Sequence, residues 1–398
     1  MLKKLLAALI VLALPSLAAG APITDRWAEQ AQERPALDAA VRELCGRQIV
    51  LLGENGFHGD GRTVGFKADL VHRLVQSCGF KAVFFEASHY DFVEISRRRR
   101  AGEPVTPEMV SSAIGGLWNQ NEEVAPLMDF LHKRAADGRL VLGGLDDQLG
   151  TRGAFYSLDD MPAELAGYLA DDGRETCKAI VRQRIWSDYP RSKPYDEAAR
   201  VRVSQCLADI RGAVARSTDK ARRAEVEQMI TAFGRAVARD FDPAPQRIAG
   251  RDQSMFQTFQ WLAGRLPPGT KIIVWSANSH VGKDARISGI EPNLGSLIHQ
   301  TYGKRAFAVG FTAASGSYRW NVRTAKEIPV AKPGSLEAMA LADGGRDVVY
   351  LGRRALAAQE ALPAGVLDDH KPVTVRWADV YDAVVVFRVE RPPVRRDE

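Results

Sequence analysis

Ile49-Val50-Leu51-Leu52-Gly53 runs straight into Glu54-Asn55-Gly56-Phe57-His58, and a second apolar run, Ala82-Val83-Phe84-Phe85, ends at Glu86. Both runs are short, rich in β-branched or aromatic residues, and continuous rather than alternating. That is the pattern of strands covered on both faces. Between them Phe66, Leu70 and Leu74 recur at every fourth position beside Val71 and Val75, while Asp69, Arg73 and Gln76 take the other side. This spacing predicts an amphipathic helix over 64–77. A strand, a helix and a second strand at these lengths form a βαβ unit, which implies a parallel pair.

Similar runs follow along the chain at Leu140–Leu142, Ile272–Trp275, Ala306–Phe311, Val348–Leu351 and Val384–Phe387. A second crossover helix is expected over 119–137. From about 155 to 267 the strand signal disappears, and periodic segments near 160–171, 175–187, 194–216, 220–239 and 246–265 predict a helical insertion. The expected fold is α/β. It is a mostly parallel three-layer α/β/α sandwich over 22–398 with a helical subdomain inserted at about 155–267.

The composition fits a globular chain. Of 398 residues, 45% are hydrophobic and 26% charged, which excludes disorder and a collagen-like fibre. The net charge of +5 is spread along the chain. Arg97 to Arg100 form a local basic run that reads as a solvated helix end. With no basic stripe interleaved with aromatics, nucleic acid is not an expected partner.

Residues 1–21 read as a signal peptide. Lys3 and Lys4 make the positive region, Leu5 to Leu14 is apolar, Pro15 and Ser16 break it, and Ala18-Ala19-Gly20-Ala21 offers small residues for cleavage. The apolar run is too short for a membrane span, so a periplasmic or secreted protein without a stable membrane anchor is expected. Four cysteines in an exported chain suggest two disulfides. Three connectivities are possible. Cys45 and Cys78 precede two strands at similar distances, and Cys177 and Cys206 fall on successive helical segments. That placement favours Cys45–Cys78 and Cys177–Cys206. No C-x2-C spacing points to zinc.

In open α/β sheets ligands bind beyond the carboxyl ends of the strands. The first strand delivers Glu54 and His58 there. The second delivers Glu86 with Ser88 and His89, the third Asp146 and Asp147, and the fourth Asn278 and His280. A histidine near neutrality deprotonates water, and a carboxylate fixes its tautomer. His58 with Glu54 or Glu86 fits that requirement. Lys67, in the first turn of the following helix, could point inward to stabilise an oxyanion or lower a carboxylate pKa. No G-x-S-x-G, H-E-x-x-H or Walker A motif is present, and Gly53, Gly56, Gly59 and Gly61 do not make G-x-G-x-x-G.

Several segments, taken in order, resemble the erythromycin esterase family. They are Leu52-Gly53-Glu54 with His58-Gly59, Gly79 to Glu86, and Trp118 with Glu122 or Glu123. Further matches are Gly144-x-Asp146, Arg251-Asp252-x-x-Met255 with Trp261-Leu262, and Val274-Trp275-x-x-Asn278-x-His280. Tyr302-Gly303 and Tyr381-Asp382-Ala383 complete the set. The resemblance implies hydrolysis of a carboxylic ester or lactone by histidine-activated water, with no acyl-enzyme and no obligatory metal or other cofactor. It makes His58 the general base and Glu54 and Glu86 its supporting carboxylates. Lys67 stands where the family can carry a basic residue, and His280 would bind or polarise the substrate. His89, Trp118, Asn278 and Asp146 are assigned to substrate contacts. Two departures stand out. Three residues separate Glu54 from His58 where the family has two, and Ala277 replaces a family histidine. Two other functions stay open: a metal-dependent hydrolase using Glu54, His58, Glu86 and His280, and a non-catalytic binder of a hydrophobic molecule or haem.

Overall fold

The computed structural model describes residues 23–150, 155–321 and 324–396. The expected signal peptide lies outside them. The strands are β1 (Ile49–Leu52), β2 (Phe80–Ser88), β3 (Val141–Asp146), β4 (Lys271–Trp275), β5 (Ala306–Ala313), β6 (Ser317–Asn321), β7 (Thr324–Glu327), β8 (Val348–Leu351), β9 (Leu362–Ala364), β10 (Val373–Val375) and β11 (Ala383–Phe387). Seven form the central sheet in the order β3-β2-β4-β1-β5-β11-β8. Every pair is parallel except β11 with β8. All seven were legible as apolar runs. The small antiparallel pairs β6–β7 and β9–β10 were not.

Helix α1 (Ile23–Leu44) precedes β1, and α2 (Gly61–Ser77) joins β1 to β2. Helices α3 (His89–Ala101), α4 (Pro107–Ile114) and α5 (Ala125–Ala136) lie between β2 and β3. Five more, α6 (Tyr156–Ala166), α7 (Asp171–Trp186), α8 (Glu197–Val214), α9 (Lys220–Ala238) and α10 (Ala244–Ala263), fall between β3 and β4. After β4 come α11 (Asn278–Val281), α12 (Ala285–Ser288) and α13 (Leu294–Tyr302).

Alternate residues of each strand enter different cores, as a pleated strand requires. Val50, Leu52, Val309 and Val385 share one cluster with Leu44, Val71 and Leu131 of α1, α2 and α5. Ile49, Leu51, Ala308 and Val384 share the other with Phe259 of α10 and Ile298 of α13. Each large aliphatic side chain buried this way contributes about 1.5–3 kcal/mol. A third cluster joins α6 to α9 with Tyr90 and Val93 of α3, so the inserted helices largely bury their apolar stripes against one another.

Two expectations need correction. The segment 119–137 is not one helix: Gly115 turns at a φ of +92°, residues 115–121 form a loop, and α5 begins only at Ala125 with Pro126 in its first turn. The cysteines do pair as Cys45–Cys78 and Cys177–Cys206, with Cα separations of 5.0 and 5.5 Å. The first pair, however, does not sit before adjacent strands. β4 lies between β1 and β2, and Lys271 at its start donates to the carbonyl oxygens of both Cys45 (2.6 Å) and Cys78 (3.0 Å).

Candidate active site

The sheet order makes β3, β2, β4 and β1 consecutive neighbours, so their carboxyl ends share one rim. A cavity of about 720 Å³ opens there. His58, Trp118, Glu86, Asp146, Arg251 and His280 line it.

The first half of the site grows from the end of β1. Glu54 is fully buried. Its Oε1 accepts from Trp118 Nε1 (2.7 Å) and Trp275 Nε1 (3.3 Å) and lies 2.8 Å from His58 Nδ1. Its Oε2 lies 3.0 Å from Lys67 Nζ. Burial opposes the negative charge, but Lys67 and His58 outweigh it and hold the Glu54 pKa below its ordinary value. An ionised carboxylate at Nδ1 fixes the neutral imidazole as the Nδ1–H tautomer, with its lone pair on Nε2. Burial also works against charging His58, yet the bond to Glu54 and its charge raise the ring pKa above 6.5.

The extra residue between Glu54 and His58 is absorbed locally. The amide N–H groups of Phe57 and His58 donate to the side chain and carbonyl of Asn55 (3.0 and 2.8 Å), and His58 takes a φ of +55°. A non-glycine residue in the left-handed region costs about 1 kcal/mol or more, and such strain clusters at functional sites. The Trp118 ring meets His58 edge-on at 5.0 Å.

Lys67 lies behind the cavity wall rather than on it. It is fully buried, between Glu54 and the face of Trp275, with Nζ 4.3 Å from the ring centre. Burial pushes its pKa down to about 8 against the pull of Glu54.

The second half centres on Arg251 of α10. Its Nη2 donates to Glu86 Oε1 (2.7 Å), and its Nε donates to Asp146 Oδ2 (3.0 Å). Glu86 Oε2 accepts from Ser276 Oγ (2.6 Å) and the Ala277 amide (3.0 Å). At 277, therefore, a backbone N–H grips the carboxylate. His280 places Nδ1 2.8 Å from Asp252 and Nε2 3.3 Å from Glu86. Burial opposes its charge, but Asp252 and Glu86 hold its pKa well above 6.5, which favours the imidazolium. Arg251 Nη1 lies 3.2 Å from its Nε2, and both side chains approach Glu86 Oε1. Burial also opposes the charge on Glu86, and these two cations keep its pKa well below the usual carboxylate range.

The structure thus divides the expected residues. His58 pairs with Glu54, not Glu86. Two assigned substrate contacts lie away from the cavity wall. His89 is fully buried, with Nδ1 3.3 Å from the Gly144 carbonyl and its ring edge-on to Trp261 at 5.3 Å. Burial pushes its pKa down to about 3. Asn278 is an internal staple: its amide donates to the carbonyls of Phe311 (2.8 Å) and Val366 (2.5 Å), and its oxygen accepts from the Phe311 amide (3.1 Å). Gly53 packs so closely against it that a Cβ would sit 2.0 Å from Asn278 Oδ1.

Arg251 and Asp252 were not among the expected site residues, because an arginine on an inserted amphipathic helix reads as solvated. Their signal was the Arg251-Asp252-x-x-Met255 segment, which matched the family without giving either residue a role; Asp252 is fully buried. The alternative metal set also comes apart. Glu54 is committed to Lys67, and Glu86 and His280 to Arg251 and Asp252. Among the described residues no three His, Cys, Asp or Glu side chains gather as a ligand set.

Comparison with known proteins bears on the family and the fold. A protein of Bacillus subtilis (strain 168) named "Putative hydrolase YbfO" is 24% identical over 359 residues, which is 79% of this chain and 78% of that one. Among solved structures, a succinoglycan biosynthesis protein superposes with a TM-score of 0.67 at 16% identity, over 89% of this chain and 91% of that one. A mutant of the erythromycin esterase EreC in its open conformation superposes with a TM-score of 0.63 at 15% identity, over 89% and 93%. These structural likenesses establish the fold. The family model for erythromycin esterase matches residues 75–389. The chain belongs to the erythromycin esterase family, a membership that suggests an esterase or hydrolase.

Proposed function

We propose that this protein is an exported hydrolase of carboxylic esters or lactones, and that His58 is its general base. The observation that carries this reading is the His58 ring, set by Glu54 at 2.8 Å on the wall of a cavity that also holds the Arg251–His280 cation pair. In this mechanism Nε2 takes a proton from a water molecule, whose oxygen bonds to the acyl carbon. The carbonyl π electrons move to oxygen, and Arg251 and His280 stabilise the oxyanion. As the tetrahedral intermediate collapses, the carbon–oxygen ester bond breaks. The alkoxide recovers the proton from the His58 imidazolium, which Glu54 has stabilised meanwhile. Lys67 keeps Glu54 ionised. Export is supported by the character of residues 1–21 and by the two disulfides.

The test is His58→Ala assayed on a panel of p-nitrophenyl esters and simple lactones. With the thermal melt unchanged, turnover should fall roughly 100-fold or more, the usual scale for a general base. Undiminished turnover in the variant refutes the assignment.

A further inference from the structure

A serine at the head of a helix ordinarily turns its hydroxyl back to accept from an amide of the first turn. Ser88 closes β2 and stands at the N-cap of α3, yet its side chain makes no such bond. It is 3% exposed, it lines the cavity, and among the described residues its Oγ has no hydrogen-bond partner. The head of α3 is held without it. Asp91 accepts from the amides of Phe155 (3.1 Å), Tyr156 (2.8 Å) and Ser157 (3.1 Å) and from the Ser157 hydroxyl (2.8 Å).

Ser279 repeats the pattern after the neighbouring strand. It follows β4, is 3% exposed, lines the same cavity, and leaves its Oγ without a partner among the described residues. Ser276, by contrast, commits its hydroxyl to Glu86 (2.6 Å). The ions of this wall are paired as well: Arg251 holds Glu86 and Asp146, and His280 meets Asp252 and Glu86. A buried hydroxyl with no partner costs free energy, which a neutral ligand group able to donate and accept recovers. In the mechanism above, the attacking and leaving oxygens both face His58, and the oxyanion faces Arg251 and His280. The acyl chain is then the substituent left to run toward the end of β2, two strand spacings or roughly 10 Å from β1.

We propose that Ser88, with Ser279 beside it in the sheet order, is a specificity determinant that selects esters and lactones whose acyl part carries a hydroxyl group. This rests on the hydrolase reading and extends it to the chemical class of the substrate. A substrate hydroxyl gives each serine a donor and an acceptor in one group. A plain hydrocarbon chain displaces water from the serines and leaves them unpaired, which is how a site built for a hydroxyl rejects the analogue that lacks it.

The experiment compares ethyl hexanoate with ethyl 3-hydroxyhexanoate and ethyl 6-hydroxyhexanoate, following acid release by the full-length protein in a pH-stat. The better hydroxy ester should exceed the plain ester at least tenfold in kcat/KM. Ser88→Ala should lower that ratio about tenfold, and Ser88→Thr, which keeps the hydroxyl, should retain most of it. The melting temperature of Ser88→Ala should match wild type, because no cap bond is lost. A wild-type preference for the plain ester, a ratio that Ser88→Ala does not change, or a fall in melting temperature that marks Ser88 as a helix cap overturns the proposal. If no ester is turned over by a His58-dependent route, the hydrolase reading fails, and the binding arm then judges Ser88 alone. In a His58→Ala background, 3-hydroxyhexanamide or 6-hydroxyhexanamide should raise the melting temperature more than hexanamide. Ser88→Ala should abolish that difference, and its absence from the parent or its persistence in the variant overturns the proposal.

Discussion

Glu54→Gln preserves shape and removes one charge, so its outcome can be worked out donor by donor. Oε1 faces Trp118 Nε1, His58 Nδ1 and Trp275 Nε1, at 2.7, 2.8 and 3.3 Å. These donors select the amide oxygen for that side and keep the His58 tautomer intact. The amide NH2 must then face Lys67 Nζ across the former 3.0 Å ion pair. Two donors cannot share that contact, so Lys67 gives up its proton. Burial has already brought its pKa down to about 8 beside the Glu54 charge, and without that charge it falls further, so the neutral amine is the form the variant holds at pH 7. Above pH 8 the wild-type Lys67 is itself neutral. The stability gap between wild type and variant in urea melts should therefore narrow as pH rises from 7 to 9. Catalysis loses more. Glu54 raises the His58 pKa against burial, so without its charge the pKa falls. Activity rises with pH as His58 loses its proton, so the acidic limb of the pH–rate profile should move to lower pH. The plateau should fall about 100-fold, because the imidazolium formed during attack loses its counter-ion. The loss should stop well short of the roughly 10⁴-fold seen when a carboxamide imposes the wrong tautomer. An unmoved acidic limb, or a plateau within fivefold of wild type, would refute this reasoning.

Two further outcomes follow from the same geometry. Arg251→Met leaves Glu86 and Asp146 buried without their shared cation, so urea melts should show a loss of about 3–5 kcal/mol. Its kcat should fall at least 100-fold, with Arg251→Lys recovering part of both, and a fivefold effect or less would remove Arg251 from the mechanism. Cys45→Ser with Cys78→Ser opens a link between residues 33 apart, which chain entropy values at about 4 kcal/mol. Titration of four thiols in the native protein after oxidative folding would contradict both bridges.

The sheet could be read in the sequence because its strands, buried on both faces, had to be continuous apolar runs. Ile49–Leu52 and Val384–Phe387 have no polar position to confuse the pattern. β7 spells Thr-Ala-Lys-Glu on an exposed surface, where nothing forces such a signature. In the site, Glu54, His58, Glu86 and His280 were legible because each comes just after an apolar run in the sequence. Their partnerships were not. Which carboxylate meets which imidazole depends on β4 entering between β1 and β2, a relation that no local window contains. Asn278 illustrates the limit: a polar residue at a strand end reads as a ligand group, yet here it satisfies backbone atoms around residues 311 and 366. The role of Arg251, which the sequence showed only as part of a family-like segment, was hidden for the opposite reason, since an inward-pointing cation on a helix looks like an outward one.

The position of β1 has a consequence for how the molecule is assembled. Both of its sheet neighbours, β4 and β5, come from the chain beyond residue 270, whereas β2 and β3 can pair as soon as they emerge. An N-terminal fragment ending before Lys271 would thus hold the strand that bears the base with no hydrogen-bonded edge on either side. The Cys45–Cys78 link is the one covalent tie such an intermediate has there. It leashes β1 beside β2 and reserves between them a slot one strand wide for a late arrival.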